Sequence, residues 1–110
     1  MTLHPNSVKD LTLAPVAAAI DINLQHVRDR SPDEIERTLQ WELNDAPLKD
    51  SRDERSQRIL KLALRDVDLH GWDAAVTEDR TAVRVSGGSV SLDLSLSAAV
   101  ARFIEDPVAV

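Results

Sequence analysis

Alternation of apolar and polar residues over residues 82–96 is the clearest pattern in the chain. This period of two is typical of half-buried β-strands, and Gly87 and Gly88 at its centre supply the positive φ that a two-residue turn needs. We therefore predict a β-hairpin in which Ser86 faces Ser89. Its apolar face carries Val83, Val85, Val90, Leu92 and Leu94, and its polar face carries Arg84, Ser91, Asp93 and Ser95.

A third alternating stretch, residues 72–77, precedes the hairpin. A connecting loop of even length pairs Val76 with Val83 and Ala74 with Val85, so that all four side chains share the apolar face. The pattern thus predicts a three-stranded antiparallel meander. Its strands are residues 72–77, 82–86 and 89–95.

Helical spacing of apolar residues and capping signals occur on both sides of the meander. Ser31 and Glu34 have the spacing of a capping box, which predicts a helix to about Asn44. The same signals at Ser51 predict a longer helix to about Leu69 with Gly71 as its C-terminal cap, and its charged stripe is interpreted as solvated. Ser97 caps a last predicted helix over residues 98–105, which buries Val100, Phe103 and Ile104.

Residues 16–30 fit two patterns. Their isoleucines alternate with polar residues as a strand would, yet Val16, Ile20, Leu24 and Val27 also form one helical stripe. Pro15, as a first helical residue, and the alanines after it favour a helix. Residues 1–14 are interpreted as a flexible leader or as a short strand added to the meander.

These elements predict an α+β fold. Three helices in the N-terminal half are followed by the antiparallel β-meander and a C-terminal helix, and the helices pack on the apolar face of the sheet. We place a single domain at residues 15–106 and a tail at 107–110.

Composition narrows the partners that this fold can have. A net charge of -6 disfavours nucleic acid and anionic membrane surfaces. Arg28, Arg30 and Arg37 invite a helix-turn-helix interpretation, but neighbouring acidic residues cancel their field. Cysteine is absent, which excludes disulfides and thiolate chemistry. Without a signal-peptide pattern or a membrane-spanning run, we expect a cytoplasmic protein.

Candidate chemistry is sparse. Asp66 and His70 lie four residues apart on a predicted helix, which is the beginning of a general-base arrangement, but we favour the structural interpretation of a histidine that hydrogen-bonds near the helix C-terminus. Residues 66–71 resemble the start of a calcium loop, but Thr77 stands where a bidentate glutamate is needed. The three histidines lack zinc-site spacing. We predict no metal and no cofactor.

The surface suggests binding. Trp41 points away from the apolar stripe of its predicted helix, so that it either makes a second packing contact or is exposed for an interface. The last strand is an open edge, with Ser91, Asp93 and Ser95 on its outer face. We expect a small intracellular protein-interaction module that forms homodimers through the meander's edge or outer face. The alternative is a small-molecule site or modest enzyme around His70 and Asp66.

Overall fold

The structure is a computed structural model that describes residues 5–44 and 52–105, with side chains described from residue 12 onward. Within these residues, helices and strands follow the predicted α+β order, and the sheet is antiparallel with strand order β1-β2-β3. The elements are α1 (Pro5–Gln25), α2 (Pro32–Leu43), α3 (Arg52–Ala63), β1 (Asp73–Val76), β2 (Ala82–Gly87), β3 (Val90–Ser95) and α4 (Ala98–Glu105). The predicted cap at Ser51 and the tail at 107–110 lie outside the described residues.

Helix α1 confirms the helical interpretation of residues 16–25, but its predicted start at Pro15 is wrong. The helix begins at Pro5 and includes Pro15, which cannot donate a backbone hydrogen bond to residue 11. Residues 11–13 are therefore helical and form no added strand. The preference for proline at a first helical position is met at Pro5 as well, and the apolar stripe extends back to Leu13, which packs against the core.

Helix α2 begins with the predicted capping box. The Ser31 hydroxyl accepts a hydrogen bond from the Glu34 amide at 3.3 Å, and the Glu34 carboxylate accepts one from the Ser31 amide at 3.4 Å. The Ser31 hydroxyl also donates to the Glu34 carboxylate at 3.0 Å. This bond and the one from the Ser31 amide stabilise the ionised carboxylate, so the pKa of Glu34 is held below its ordinary value, chiefly by the Ser31 hydroxyl.

Removal of this hydroxyl tests the cap directly. In Ser31→Ala we expect the pKa of Glu34 to rise towards its ordinary value, and the N-cap loss to destabilise the fold by about 1 kcal/mol. Because the lowered pKa stabilises the fold above the unfolded-state pKa and this gain is lost as the pH falls, the variant should lose less stability in acid. NMR titration of Glu34 and urea denaturation measure both effects. Ser31→Thr keeps the hydroxyl and should behave like the parent; an unchanged Glu34 pKa in Ser31→Ala would contradict the assignment.

Helix α3 ends at Ala63 instead of about Leu69. The Asn23 side chain on α1 donates hydrogen bonds to the carbonyl oxygens of Ala63 and Arg65, each at 2.9 Å. These bonds satisfy carbonyl groups that a continuing helix would have used. Asp66 then takes a left-handed backbone conformation with φ of 59°. The chain from here to β1 is irregular, which removes the helix on which Asp66 and His70 were expected.

The β1–β2 register is the predicted one, with Val76 opposite Val83 and Ala74 opposite Val85. The loop has even length: the Thr77 amide donates to the Ala82 carbonyl at 2.9 Å, which leaves residues 78–81 between them.

The β2–β3 register differs from the prediction. Ser86 lies opposite Ser91, not Ser89, and the turn residues are Gly88 and Ser89. Gly88 has φ of 62°, whereas Ser89 is not in the left-handed region, the φ pattern of a type II′ turn with glycine first. The observed register also places Arg84 opposite Asp93. Because the partner shifts by two positions, each side chain keeps its predicted face.

The core lies between the sheet and the helices. Helix α1 contacts β3, helix α3 contacts β1, and α4 packs on α2 and α3. The helical stripe of α1 is buried, as are the three predicted residues of α4. The charged stripe of α3 is not fully solvated as predicted, because Arg58 is buried and pairs with Glu36 of α2. The other buried apolar side chains include Ile35, Leu39, Ile59, Leu62, Trp72, Val83 and Val85.

Candidate functional site

Asp66 and His70 do not form the predicted helical pair. Both have left-handed backbone conformations in the irregular segment after α3, and the Asp66 side chain is 93% exposed. The acidic neighbour of His70 is Asp68, whose carboxylate accepts a hydrogen bond from the His70 amide at 3.0 Å. The imidazole Nδ1 lies 3.8 Å from this carboxylate. This arrangement is an ordinary Asx-type turn on the surface.

The outer face of the meander carries the predicted interface residues of β3. Ser91, Asp93 and Ser95 are exposed, but Asp93 is occupied by Arg84, whose Nε and Nη2 donate to its two oxygens at 2.8 and 3.0 Å. These hydrogen bonds lower the pKa of Asp93 and raise that of Arg84. At the edge, Leu92 is 38% exposed. The outer face is therefore polar, and Asp93 on it already has a partner within the chain.

Trp41 is exposed, which is one of the two alternatives predicted for it. Its residue surface is 86% exposed, on the side of α2 opposite the buried Ile35 and Leu39. It makes no second packing contact that buries the indole. Exposure of a large aromatic side chain to water is energetically unfavourable, so the surface next to Trp41 is a candidate binding site.

A groove of about 610 Å³ runs beside Trp41, between the C-terminal end of α1 and the length of α2. Its α1 side includes Ile22, which is 59% exposed. Among the described residues, the large exposed apolar side chains are Ile22, Trp41 and Leu92, and two of the three line this groove. The remaining lining residues are Gln25, His26, Arg30, Glu34, Arg37, Thr38 and Glu42.

A polar bridge joins three elements at one end of the groove. His26 Nδ1 lies 3.0 Å from Glu42 Oε1, and Arg65 pairs with the other oxygen of the same carboxylate. On the far side of this bridge lies a second depression of about 390 Å³, which shares Ile22, His26 and Glu42 with the groove. Asp66 lines this depression. The bridge holds the C-terminal end of α2 against α1 and the segment after α3.

The opposite end of the groove is charged. Arg30 donates from Nε to the His26 carbonyl at 2.7 Å and lies 3.6 Å from Glu34. Arg37 is exposed, one helical turn before Trp41, and has no hydrogen bond or ion pair with the described residues, although its charge helps to lower the pKa of Glu34. An exposed guanidinium beside an exposed indole is a combination that is enriched at protein interfaces.

The arrangement is suited to binding. An imidazole held by a carboxylate could orient a proton, but the one hydroxyl among the lining residues of the groove, that of Thr38, donates to the Glu34 carbonyl at 2.8 Å. Among the described residues, no three side chains of His, Asp or Glu come together as a metal site. In the same part of the chain, no helix has the length and apolar character needed to cross a membrane.

Sequence reasoning named Trp41 but missed Ile22 and His26 as its neighbours. Ile22 could have been found, because it lies between Ile20 and Leu24 and a helix must turn it away from their buried stripe. The bridge of His26 with Glu42 had no local signal, since its residues are 16 positions apart.

The chain was compared with protein-family models, with curated proteins and with solved structures. No family model, curated protein or solved structure matches it. The geometry of the groove beside Trp41 is therefore the basis on which its function is argued.

Proposed function

We propose that this protein is a small protein-interaction module. Its contact surface, here called the Trp41 face, consists of Ile22, Arg37, Thr38 and Trp41. The observation that carries this proposal is that two large apolar side chains, 59% and 86% exposed, border one groove. Scattered single apolar residues are normal on a surface, whereas an apolar pair in one concavity marks a site that binds.

The expected energetics fit a protein contact. A tryptophan buries about 150–250 Å² when it is fully covered. At about 25 cal/mol per Å², that area contributes about 4–6 kcal/mol before the costs of association are subtracted. The groove is open and polar at both ends, where Arg37 and Glu42 lie. An apolar centre with a charged rim is the usual composition of a protein interface.

The β3 edge is a second surface for the same function. It has no neighbouring strand among the described residues, and Leu92 is partly exposed on it. Homodimerisation through this edge or through the outer face with Ser91 and Ser95 remains a proposal. It is the weaker one, since Arg84 already occupies Asp93 on that face.

Site-specific photo-cross-linking tests the module directly. A benzophenone amino acid is placed at position 41 in cells that produce the protein, and adducts are separated by denaturing electrophoresis. Because the probe replaces an indole that is 86% exposed, the fold should be retained and covalent protein adducts are expected. Adduct mass distinguishes a second copy of this 12.1 kDa chain from another protein.

The control places the same probe at Arg102, which is exposed on α4 outside the groove. We expect adducts at position 41 in clear excess over position 102. A probe at position 91 reports on the alternative surface. Equal or absent adducts at positions 41 and 102, in a protein that circular dichroism shows to be folded, would contradict the proposed function of the Trp41 face.

A further inference from the structure

We infer that the occupant of the Trp41 face is a second copy of this chain, bound with the two α2 helices antiparallel so that each Arg37 covers the other copy's Trp41. This inference rests on the proposed function, since it names the partner of that same surface. It requires that one surface carry both halves of a contact, which is the defining property of a twofold interface.

The spacing of Arg37 and Trp41 provides both halves. Four residues apart on α2, they lie on one side of the helix and about 6 Å apart along its axis. A twofold axis midway between them, at the level of Leu39, superposes each arginine on the partner's indole. Leu39 itself is fully buried in its own core and takes no part in the contact. The dimer thus contains two equivalent cation–π contacts. Arginine makes such contacts with aromatic rings more often than lysine does.

Charge favours this face over the rest of the surface. The chain as a whole has a net charge of -6, so that two copies repel each other in most orientations. The charged groove residues are balanced, with Arg30 and Arg37 against Glu34 and Glu42. Arg37 makes no hydrogen bond or ion pair with the described residues of its own chain, and its charge acts on Glu34 only from a distance, so it can contact the second copy without breaking a hydrogen bond.

Cysteine placement gives a sharp test because the natural chain has none. Thr38 lies close to the level of the proposed axis, but it is turned about 80° around α2 from the direction midway between Arg37 and Trp41. With helices about 8–10 Å apart, its Cα atoms in the two copies lie about 8–10 Å apart, too far for a disulfide but within the span of a short bismaleimide. Thr38→Cys is therefore expected to form a bismaleimide-linked dimer. The matched control is Ser91→Cys, on the exposed outer face of β3.

At micromolar concentration we expect the bismaleimide to cross-link Thr38→Cys to the dimer at least about tenfold faster than Ser91→Cys, because association raises the effective thiol concentration. In urea, where both chains are unfolded, the two rates should converge. Faster cross-linking of Ser91→Cys would assign the contact to the meander, and equal rates in the folded state would show no preferred contact. Either result overturns the inference.

Sedimentation equilibrium supplies the second measurement. Trp41→Ser should raise the dimer Kd by at least about 30-fold, as expected for an interface hot spot. Arg37→Gln should weaken the dimer clearly, whereas Arg37→Lys should retain part of the contact. A parent protein that stays monomeric at millimolar concentration overturns the inference. If position 41 nevertheless cross-links to a different protein, the proposed function stands and only the identity of the partner is wrong.

Discussion

Replacement of Trp72 by alanine is expected to lower the free energy of unfolding by about 3–5 kcal/mol. Trp72 is 2% exposed and belongs to the core cluster. Its indole N–H donates to the Thr12 hydroxyl at 2.9 Å, which connects the start of β1 to helix α1. Truncation leaves a cavity and removes this hydrogen bond to α1. Urea denaturation followed by circular dichroism measures the loss.

Trp41 is the matched control within the same chain. Since its surface is 86% exposed, Trp41→Ala should change the free energy of unfolding of the monomer by no more than about 0.5 kcal/mol. Measurements at low protein concentration keep dimerisation out of the comparison. If Trp41→Ala were as destabilising as Trp72→Ala, the indole would have to pack inside its own chain, and the Trp41 face would lose its central residue.

Elements with local chemistry could be predicted from the sequence. The capping box at Ser31, the cap at Ser97 and the alternation before Val76 each depend on residues within about one turn or one strand. These signals fixed α2, α4 and the β1–β2 register. Helix α1 shows the limit, because proline is favoured in a first turn at Pro5 and at Pro15 alike, and only packing of Leu13 on the core distinguishes them.

The hairpin turn was predicted one position too early for a similar reason. Two adjacent glycines permit a turn at Gly87-Gly88 or at Gly88-Ser89, since type II′ needs glycine only at the first central position. The second alternative places Arg84 opposite Asp93, which adds a cross-strand ion pair that the first alternative lacks. The face of the sheet on which each side chain lies was predictable, because the two registers differ by two residues and side chains alternate with a period of two. Register was not, because it depended on a pair of side chains nine residues apart.

Helix α3 ends where a distant residue ends it. Asn23 is 40 residues before Ala63, the first of the two carbonyl groups that it binds, and nothing near Ala63 announces that contact. The error carried over to the candidate site, because the pairing of Asp66 with His70 assumed a helix there. The groove was unpredictable for the same reason: it exists only once α1 and α2 are placed side by side. The sequence did show that Trp41 lies outside the apolar stripe of its helix.

Arg58→Met is expected to lower the free energy of unfolding by about 3–5 kcal/mol, because it leaves the carboxylate of Glu36 without its partner in a largely buried site. The two side chains are 9% and 16% exposed, with Nη2 2.8 Å from Oε2 and Nη1 3.1 Å from Oε1. Nη1 donates a hydrogen bond to Oε1, whereas Nη2 and Oε2 are close without one. This ion pair joins α3 to α2, the helix that carries Trp41. Urea denaturation of the variant measures the loss.

Two comparisons separate burial from charge. Arg84→Met breaks a pair with two hydrogen bonds of similar length between side chains that are 53% and 45% exposed, and should destabilise the fold far less than Arg58→Met. The double variant Arg58→Met with Glu36→Met removes both buried charges and should recover most of the loss, since an apolar pair of similar volume needs no desolvation of ions. Equal losses for Arg58→Met and Arg84→Met would contradict the buried pair. Without it, the apolar stripe of α2 and the bridge of Glu42 with His26 and Arg65 would be the contacts that hold this helix among the described residues.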